Sequence, residues 1–366
     1  MADKAKIGII GVGQIGNMHL ERYQELPVEI VAAADINEAA LGKAAETYGI
    51  GRTFTDFREL LNIDEIVAVD VCLHNNFHAP VTIAALEAGK HVYCEKPIAG
   101  SYADGKAMVE AAKRTGKMLA MQLFSLFSLD TKAAQRLIRE GYLGKLYYAK
   151  SIGYRRRGRP YVDGYGTSSF VQKSIAAGGA LFDMGVYHIA QTLYLLGNPS
   201  IQTITGAAHQ EIPMYEDRRK SSKYDVEERG LGFVRLEGGL TFFIEESWAV
   251  NMAEPHGSEL HGSKGGVRLS PFSYHSTVGD MEMDATFDLE SADVRWHRCI
   301  PDTDAYDSAQ AHWAAAVQGR VPLVDSASLG LATMKISEGI YLSSKLGREV
   351  TADEVEKESK STAVEV

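Results

Sequence analysis

The chain has 366 residues, 45% of them hydrophobic and 23% charged, with a formal net charge of −10. That is enough apolar material for two domain cores, and the negative balance argues against a general nucleic-acid surface. The three cysteines show no CxxC spacing, which excludes a disulfide framework or a cysteine metal site, and no apolar run reaches membrane-spanning length.

The opening stretch, MADKAKIGIIGVG, enters a strand directly, with no charged region, apolar region and cleavage site in order. A cytoplasmic protein is therefore expected. Apolar strand-like runs then fall at Lys6–Ile10, Glu29–Ala34, Ile66–Leu73, His91–Cys94 and Met118–Leu123, with a short further strand near Arg52–Phe54. Helix-like segments lie between them at Asn37–Tyr48, Pro80–Ala88 and Tyr102–Thr115. Gly49, Gly89 and Gly116 follow these helices, where a C-terminal cap needs positive φ. Alternating strands and helices imply parallel βαβ units and a doubly wound α/β sheet.

Beyond about Leu123 the pattern changes. One helix-like stretch, Asp130–Glu140, is followed by strand-like runs at Leu146–Tyr154, Ile201–Ala207, Gly230–Leu236, Leu240–Val250, Glu259–His261 and Val267–Leu269. Short connections of this kind suit an antiparallel sheet. Helices Asp307–Gly319 and Ser326–Leu346 follow, and the charged tail from Glu354 is expected to fray. The reading is a doubly wound Rossmann domain over 1–124, then an α+β domain over 125–366 with a large, mostly antiparallel open sheet.

Gly11-Val12-Gly13-Gln14-Ile15-Gly16 is a GxGxxG between a strand and a helix. Gly11 permits the tight turn, Gly13 lets backbone approach a pyrophosphate, and Gly16 packs helix on strand. The helix N-terminus offers free N–H groups to phosphates. Asp35 ends the second strand, where a carboxylate accepts from ribose hydroxyls and repels a 2′-phosphate. This favours NAD over NADP. Alternatively Asp35 caps the next helix, a task Asn37 suits equally.

Two later motifs narrow the reading: Gly89-Lys90-His91-Val92-Tyr93-Cys94-Glu95-Lys96-Pro97, and Gly178-Gly179-Ala180-Leu181-Phe182-Asp183-Met184-Gly185-Val186-Tyr187-His188. Taken with the glycine motif, with Asn75 and His78, and with His261-Gly262-Ser263-Lys264-Gly265, the chain resembles the Gfo/Idh/MocA oxidoreductases, the family of glucose–fructose oxidoreductase and inositol dehydrogenase. The resemblance implies that Gln14, Ile15, Asn75, His78 and Glu95 join the glycines and Asp35 around NAD. It also implies that Lys96 stands beside the nicotinamide, after a cis bond to Pro97. Burial and the nicotinamide charge should push the Lys96 pKa down, towards acid–base use. Asp183 and Tyr187 are four apart and should share a helix face. Where relatives usually carry His, this chain has Tyr187, with His188 one residue later, so either is the candidate proton acceptor. A stripe of Val186, Ile189, Leu193 and Leu196 should be buried beneath them.

Arg155, Arg157 and Tyr165 are candidate contacts to a sugar, phosphate or carboxylate, and Tyr161 or Trp248 could stack on a sugar face. Gln122 stands near the position of a usual family arginine. The cluster Arg155–Arg157 with Arg159 is too short for a nucleic-acid footprint. The expected activity is NAD-dependent oxidation of a ring hydroxyl of a sugar, glycoside or inositol-type polyol. Two alternatives are a redox-neutral glycoside-cleaving enzyme and a non-catalytic sugar/NAD sensor. The resemblance further implies a homo-oligomer, dimer or tetramer, built on the second sheet; no metal is expected.

Overall fold

The computed structural model describes residues 4–253 and 257–366; the first three residues of the N-terminal stretch read above lie outside them. The first half runs β1 (Ala5–Ile10), α1 (Gln14–Tyr23), β2 (Val28–Ala34), α2 (Glu38–Tyr48), β3 (Arg52–Phe54), α3 (Phe57–Leu61), β4 (Ala68–Val71), α4 (Asn75–Glu87), β5 (His91–Cys94), α5 (Tyr102–Thr115) and β6 (Leu119–Met121). Their strands form one parallel sheet in the order β3-β2-β1-β4-β5-β6. The order reverses between β1 and β4, and ligands of open α/β sheets bind at the carboxyl ends beside such a switch point. Val69, Val71, Val92 and Ile9 are fully buried, as strands covered on both faces require. Gly49, Gly89 and Gly116 adopt the positive φ expected of helix ends.

The second half runs α6 (Leu129–Arg139), β7 (Leu146–Tyr154), α7 (Lys173–Ala176), α8 (Val186–Leu196), β8 (Ile201–His209), α9 (Glu216–Ser222), β9 (Arg229–Leu236), β10 (Thr241–Ser247), β11 (Glu259–Gly262), β12 (Gly265–Arg268), β13 (Ser273–Val278), β14 (Met281–Thr286), α10 (Leu289–Cys299), α11 (Ala309–Val317), α12 (Ser326–Leu346), β15 (Val350–Thr351) and α13 (Ala352–Glu358). Its nine-stranded sheet is antiparallel except where β7 pairs with β10. The last helices return to the first sheet. Trp313 of α11 stacks on Tyr93 of β5 with ring centroids 5.7 Å apart, and the Ser326 hydroxyl at the start of α12 accepts the Met121 N–H of β6 at 2.8 Å.

Several expectations change. The sequence reading did not include β13, β14 or α10. No residue of β14 or α10 is buried, so neither carries an apolar stripe to be read. The run expected as Leu240–Val250 leaves the sheet at Ser247, and Trp248, Ala249 and Val250 turn into the core. In α8 Val186, Ile189 and Leu193 are buried as expected, but Leu196 is only half-buried while Leu195 is buried. The tail does not fray from Glu354. Thr351 and Glu354 form a reciprocal capping box that starts α13. Beyond it the Asp104 carboxylate accepts from the Thr362 N–H at 2.8 Å, and the Asn76 carbonyl from the Val364 N–H at 3.2 Å. Thr351→Ala removes the cap and is expected to cost about 1 kcal/mol. Urea unfolding should show a lower midpoint at unchanged slope.

Candidate active site

Gly11 has φ +93°, and a Cβ on it would lie 2.4 Å from the Cys72 carbonyl. A Cβ on Gly16 would lie 2.0 Å from the Gly11 carbonyl. The packing of α1 on β1 and β4 therefore requires both glycines. Gly13 differs: a Cβ there would meet nothing within 4 Å, so its bareness serves no contact inside the chain. Gly13 is the N-cap of α1 and supplies no side-chain acceptor, while Gln14 and Ile15 are exposed in the first turn. Asp35 Oδ2 accepts the Val12 N–H at 2.8 Å and Oδ1 the Asn37 N–H at 2.9 Å. Capping of α2 falls to Asn37, whose side chain accepts from the Ala40 N–H. Asp35 is thus committed to the glycine loop. An open backbone cradle at a helix N-terminus with a carboxylate at the end of β2 is the donor and acceptor set a dinucleotide needs.

The loop after β5 carries Lys96 to the same edge of the sheet. The Lys96–Pro97 bond is cis, as the resemblance implied. His78 is wholly buried, with its Nδ1 2.8 Å from the Pro97 carbonyl and its Nε2 3.0 Å from the Leu73 carbonyl. Burial lowers its pKa. Its place is beneath the loop, clamping it. Asn75 donates to the Ala176 carbonyl at 2.8 Å and joins α4 to the end of α7 from the second half. Glu95 Oε2 accepts the Lys96 N–H at 2.9 Å.

Lys96 Nζ donates to the Asp183 carbonyl at 2.8 Å and to Asp183 Oδ1 at 2.9 Å. The Trp248 indole donates to Asp183 Oδ2 at 3.0 Å, and Arg155 stands 3.8 Å from that same oxygen. Asp183 does not sit on an α-helix face as expected. Leu181–Gly185 form a single π-helical turn that runs straight into α8. The wider turn advances the chain by one residue. Glu227, half-buried, anchors its start by accepting the Gly179 N–H at 2.8 Å and the Leu181 N–H at 3.0 Å. The expected lowering of the Lys96 pKa is reversed in the chain itself. Burial does push it down, but the Asp183 carboxylate, helped by Tyr187 and Glu95, outweighs burial and raises it. The Asp183 pKa is correspondingly lowered, Lys96 overcoming its own burial.

Tyr187 and His188 part company. The Tyr187 ring lies 5.0 Å from Lys96 Nζ and 4.3 Å from the Phe124 ring, and burial pushes its hydroxyl up to about 12. His188 turns to the second sheet, its Nδ1 2.9 Å from Glu246 Oε2, with Ser151 holding the other Glu246 oxygen at 2.8 Å. Burial opposes the imidazolium there, but Glu246 outweighs it and raises the pKa.

The remaining candidates divide. Arg155 donates to the Tyr165 hydroxyl at 2.6 Å, close to Asp183. Burial pushes the Tyr165 hydroxyl up to about 12. Arg157 instead reaches away to the Pro213 carbonyl at 2.8 Å. Gln122 is buried and accepts from the Tyr93 hydroxyl, so it points into the first core. Trp248 is fully buried and orients Asp183, so no sugar can stack on it, while the Tyr161 ring lies beneath the Arg218 guanidinium. Not singled out from the sequence were His19, Trp248 as the Asp183 donor, Glu246, and Phe124 against Tyr187. Only His19 left a signal, three residues after Gly16 on the inward face of α1.

Residues 5–123 match the family profile described as "Oxidoreductase family, NAD-binding Rossmann fold", and residues 131–268 match "GFO/IDH/MocA C-terminal domain". The chain belongs to the Gfo/Idh/MocA oxidoreductase family. Among curated relatives, D-glucoside 3-dehydrogenase of Escherichia coli K12 is 28% identical over 354 residues, covering 94% of this chain and 97% of the relative. Levoglucosan dehydrogenase of Pseudarthrobacter phenanthrenivorans is 26% identical, covering 86% and 84%. A solved levoglucosan dehydrogenase in complex with NADH and L-sorbose superposes with TM-score 0.78 at 22% identity, covering 96% of this chain and 99% of that one, which shows the shared fold. The protein is thus an oxidoreductase of a family that binds NAD on its Rossmann domain, and it has sugar and polyol dehydrogenases among its relatives. Among the described residues no helix is long and apolar enough to cross a membrane.

The two kinds of glycine separate experimentally. Gly16→Ala should destabilise the chain without any ligand, by roughly 1–3 kcal/mol. Gly13→Ala should leave the ligand-free melting temperature within error and weaken NAD binding in calorimetry.

Proposed function

We propose that the chain is an NAD-dependent dehydrogenase that oxidises a ring hydroxyl of a sugar, glycoside or inositol-type polyol to a ketone, or runs the reverse, with Lys96 exchanging the proton. The observation that carries this reading is the Lys96 ammonium held by Asp183 at the carboxyl end of β5, on the sheet edge that bears the glycine loop. Relatives named glucoside 3-dehydrogenase, levoglucosan dehydrogenase and myo-inositol 2-dehydrogenase support it. Gly11, Gly13, Gln14, Ile15, Gly16 and Asp35 would hold the dinucleotide, which when bound supplies the hydride acceptor at nicotinamide C4.

An ammonium has three donors. Two of those on Lys96 go to Asp183, and the third is left for a substrate oxygen beside the Tyr187 ring. A donor fixed there stabilises an oxygen on which negative charge develops. With its pKa raised, Lys96 rests protonated, ready to act as the acid in reduction. Oxidation draws on the deprotonated fraction and so speeds up with pH. Tyr187, packed on Phe124, orients the substrate hydroxyl. Arg155 and Tyr165 close the polar side of the site. Assembly belongs to the second sheet on this reading, where Tyr147 of β7 and Met281 of β14 are exposed.

The test is absorbance at 340 nm with NAD and a panel of sugars, inositols and glycosides. NADH should accumulate with one class, and Lys96→Met should reduce kcat by roughly 10²–10⁴-fold. Panel conversion seen by mass spectrometry without NADH would replace the dehydrogenase with a redox-neutral enzyme, and Lys96→Met at near-normal turnover would remove Lys96 from the chemistry. Asp183→Asn deletes the charge that raises the Lys96 pKa. The alkaline limb of the pH–rate profile should move to lower pH, rising earlier for oxidation and falling earlier for reduction.

Cofactor choice is tested at Asp35. Asp35→Asn keeps an acceptor for the Val12 N–H but loses the charge that repels a 2′-phosphate. The ratio of kcat/KM for NADP to that for NAD should rise by about ten-fold or more, since about 1.4 kcal/mol of lost repulsion is enough.

A further inference from the structure

Beneath the glycine turn lies a cluster of ionisable groups that the proton transfer above does not use. His19 is on the inward face of α1 and 2% exposed. Its Nδ1 is 2.7 Å from Asp70 Oδ2, at the end of β4, and its Nε2 is 2.8 Å from Glu95 Oε1, just past β5. Asp70 also accepts from the Tyr23 hydroxyl at 2.9 Å, and the Cys72 thiol lies 3.4 Å from it and 3.3 Å from His19 Nδ1. The Tyr93 ring packs 5.9 Å from the imidazole. Both ring nitrogens therefore point at carboxyl oxygens, which accept but cannot donate when ionised. Only a doubly protonated ring satisfies both. Burial works against that charge, but Asp70 outweighs it. Glu95 is held ionised in turn, its burial overcome by His19 first and Lys96 after it.

We propose that His19 is a positioning residue of the reaction: as a permanent imidazolium it bridges Asp70 and Glu95, fixing the Glu95 carboxylate against the Lys96 backbone and tying the cofactor-binding helix to the proton-transferring loop. One link supports each step. Glu95 Oε1 takes the imidazolium while Oε2 takes the Lys96 N–H, so the carboxylate cannot turn without releasing one of them. The ring is carried by the helix whose first turn begins at the glycine motif, three residues after Gly16. The spacing GxGxxGxxH thus has a physical sense. A histidine at that position sits under the carboxyl ends of β4 and β5, where the strand ends deliver two carboxyl groups to it. A neutral side chain of the same length could hydrogen-bond there but could not offset two buried acids.

The inference rests on Lys96 being the proton-transferring group, and the experiment separates the two. In ligand-free enzyme with ¹⁵N-labelled histidine, the His19 signal, assigned by its loss in His19→Gln, should keep both nitrogens protonated from pH 6 to 9. A ring that titrates in that window overturns the bridge. In steady state His19→Gln should lower kcat by roughly 10- to 100-fold, as a small misplacement of a reacting group does, with the alcohol KM little changed. It should also shift the alkaline limb assigned to Lys96. Glu95→Gln should do the same, and the double variant should be no slower than the slower single one. A lower melting temperature with unchanged kcat and limb, or effects that simply multiply, makes His19 structural only. If His19→Gln does not fold, His19→Gln with Asp70→Asn removes one charge of each sign and supplies soluble protein for the same kinetics. Turnover retained by Lys96→Met removes both readings; a dead Lys96→Met beside an unaffected His19→Gln removes this one alone.

Discussion

The ion pair between Lys96 and Asp183 joins two residues 87 positions apart, one from each half of the chain. Both groups are largely withdrawn from water. Removing either partner of such a pair leaves a stranded charge, typically at a cost of about 3–5 kcal/mol. The surrounding structure reads as a set of devices that make the pair affordable in its one geometry. Trp248 takes the second Asp183 oxygen, Glu227 pins the start of its turn, and His78 pins the carbonyl of Pro97 behind Lys96. Each acts on one side only, so the pair is fixed from the first sheet and the second independently. The return of α11 and α12 to the first sheet keeps those two supports in register.

How far the sequence revealed this depends on how local each feature is. The glycine turn was legible because its three requirements, a positive φ, a close helix and a bare backbone, fall within Gly11–Gly16. The capped helix α5, the strand β5 and the long helix α12 matched their expected bounds because their signals are local caps and periodicity. The parallel sheet followed from the alternation of elements. The sign of the Lys96 pKa was not legible, since burial is inferred from neighbours in sequence while the deciding charge arrives from Asp183. The π turn at Leu181–Gly185 was invisible for a related reason. Periodicity assumes one residue every 100°, and a single wider turn breaks that count without altering composition. Strand β14 and helix α10 escaped because surface elements need no apolar face.

Ordinary helix geometry explains how two adjacent aromatic candidates serve different halves of the chain. Consecutive residues of α8 project about 100° apart, so Tyr187 and His188 cannot face one site together. Tyr187 is drawn to the first half, its ring on Phe124 and its carbonyl accepting from the Ser125 hydroxyl at 2.8 Å. His188 is drawn to Glu246 and, through it, to Ser151 on the parallel pair β7 and β10. Phe124 and Ser125, just past β6, are the residues that meet Tyr187, by ring and by hydroxyl.

A tyrosine whose hydroxyl is pushed up to about 12 is a poor base near neutral pH. That matters little if Lys96 exchanges the proton, because the second group then needs only to direct the substrate oxygen towards the Lys96 nitrogen. Geometry and electrostatics agree on this division. The charge that raises the Lys96 pKa comes from Asp183, and the Tyr187 ring lies 5.0 Å from the Lys96 ammonium. A tyrosine at position 187 is therefore compatible with the proposed reaction, provided that the aspartate, and not the aromatic residue, sets the proton affinity of the lysine.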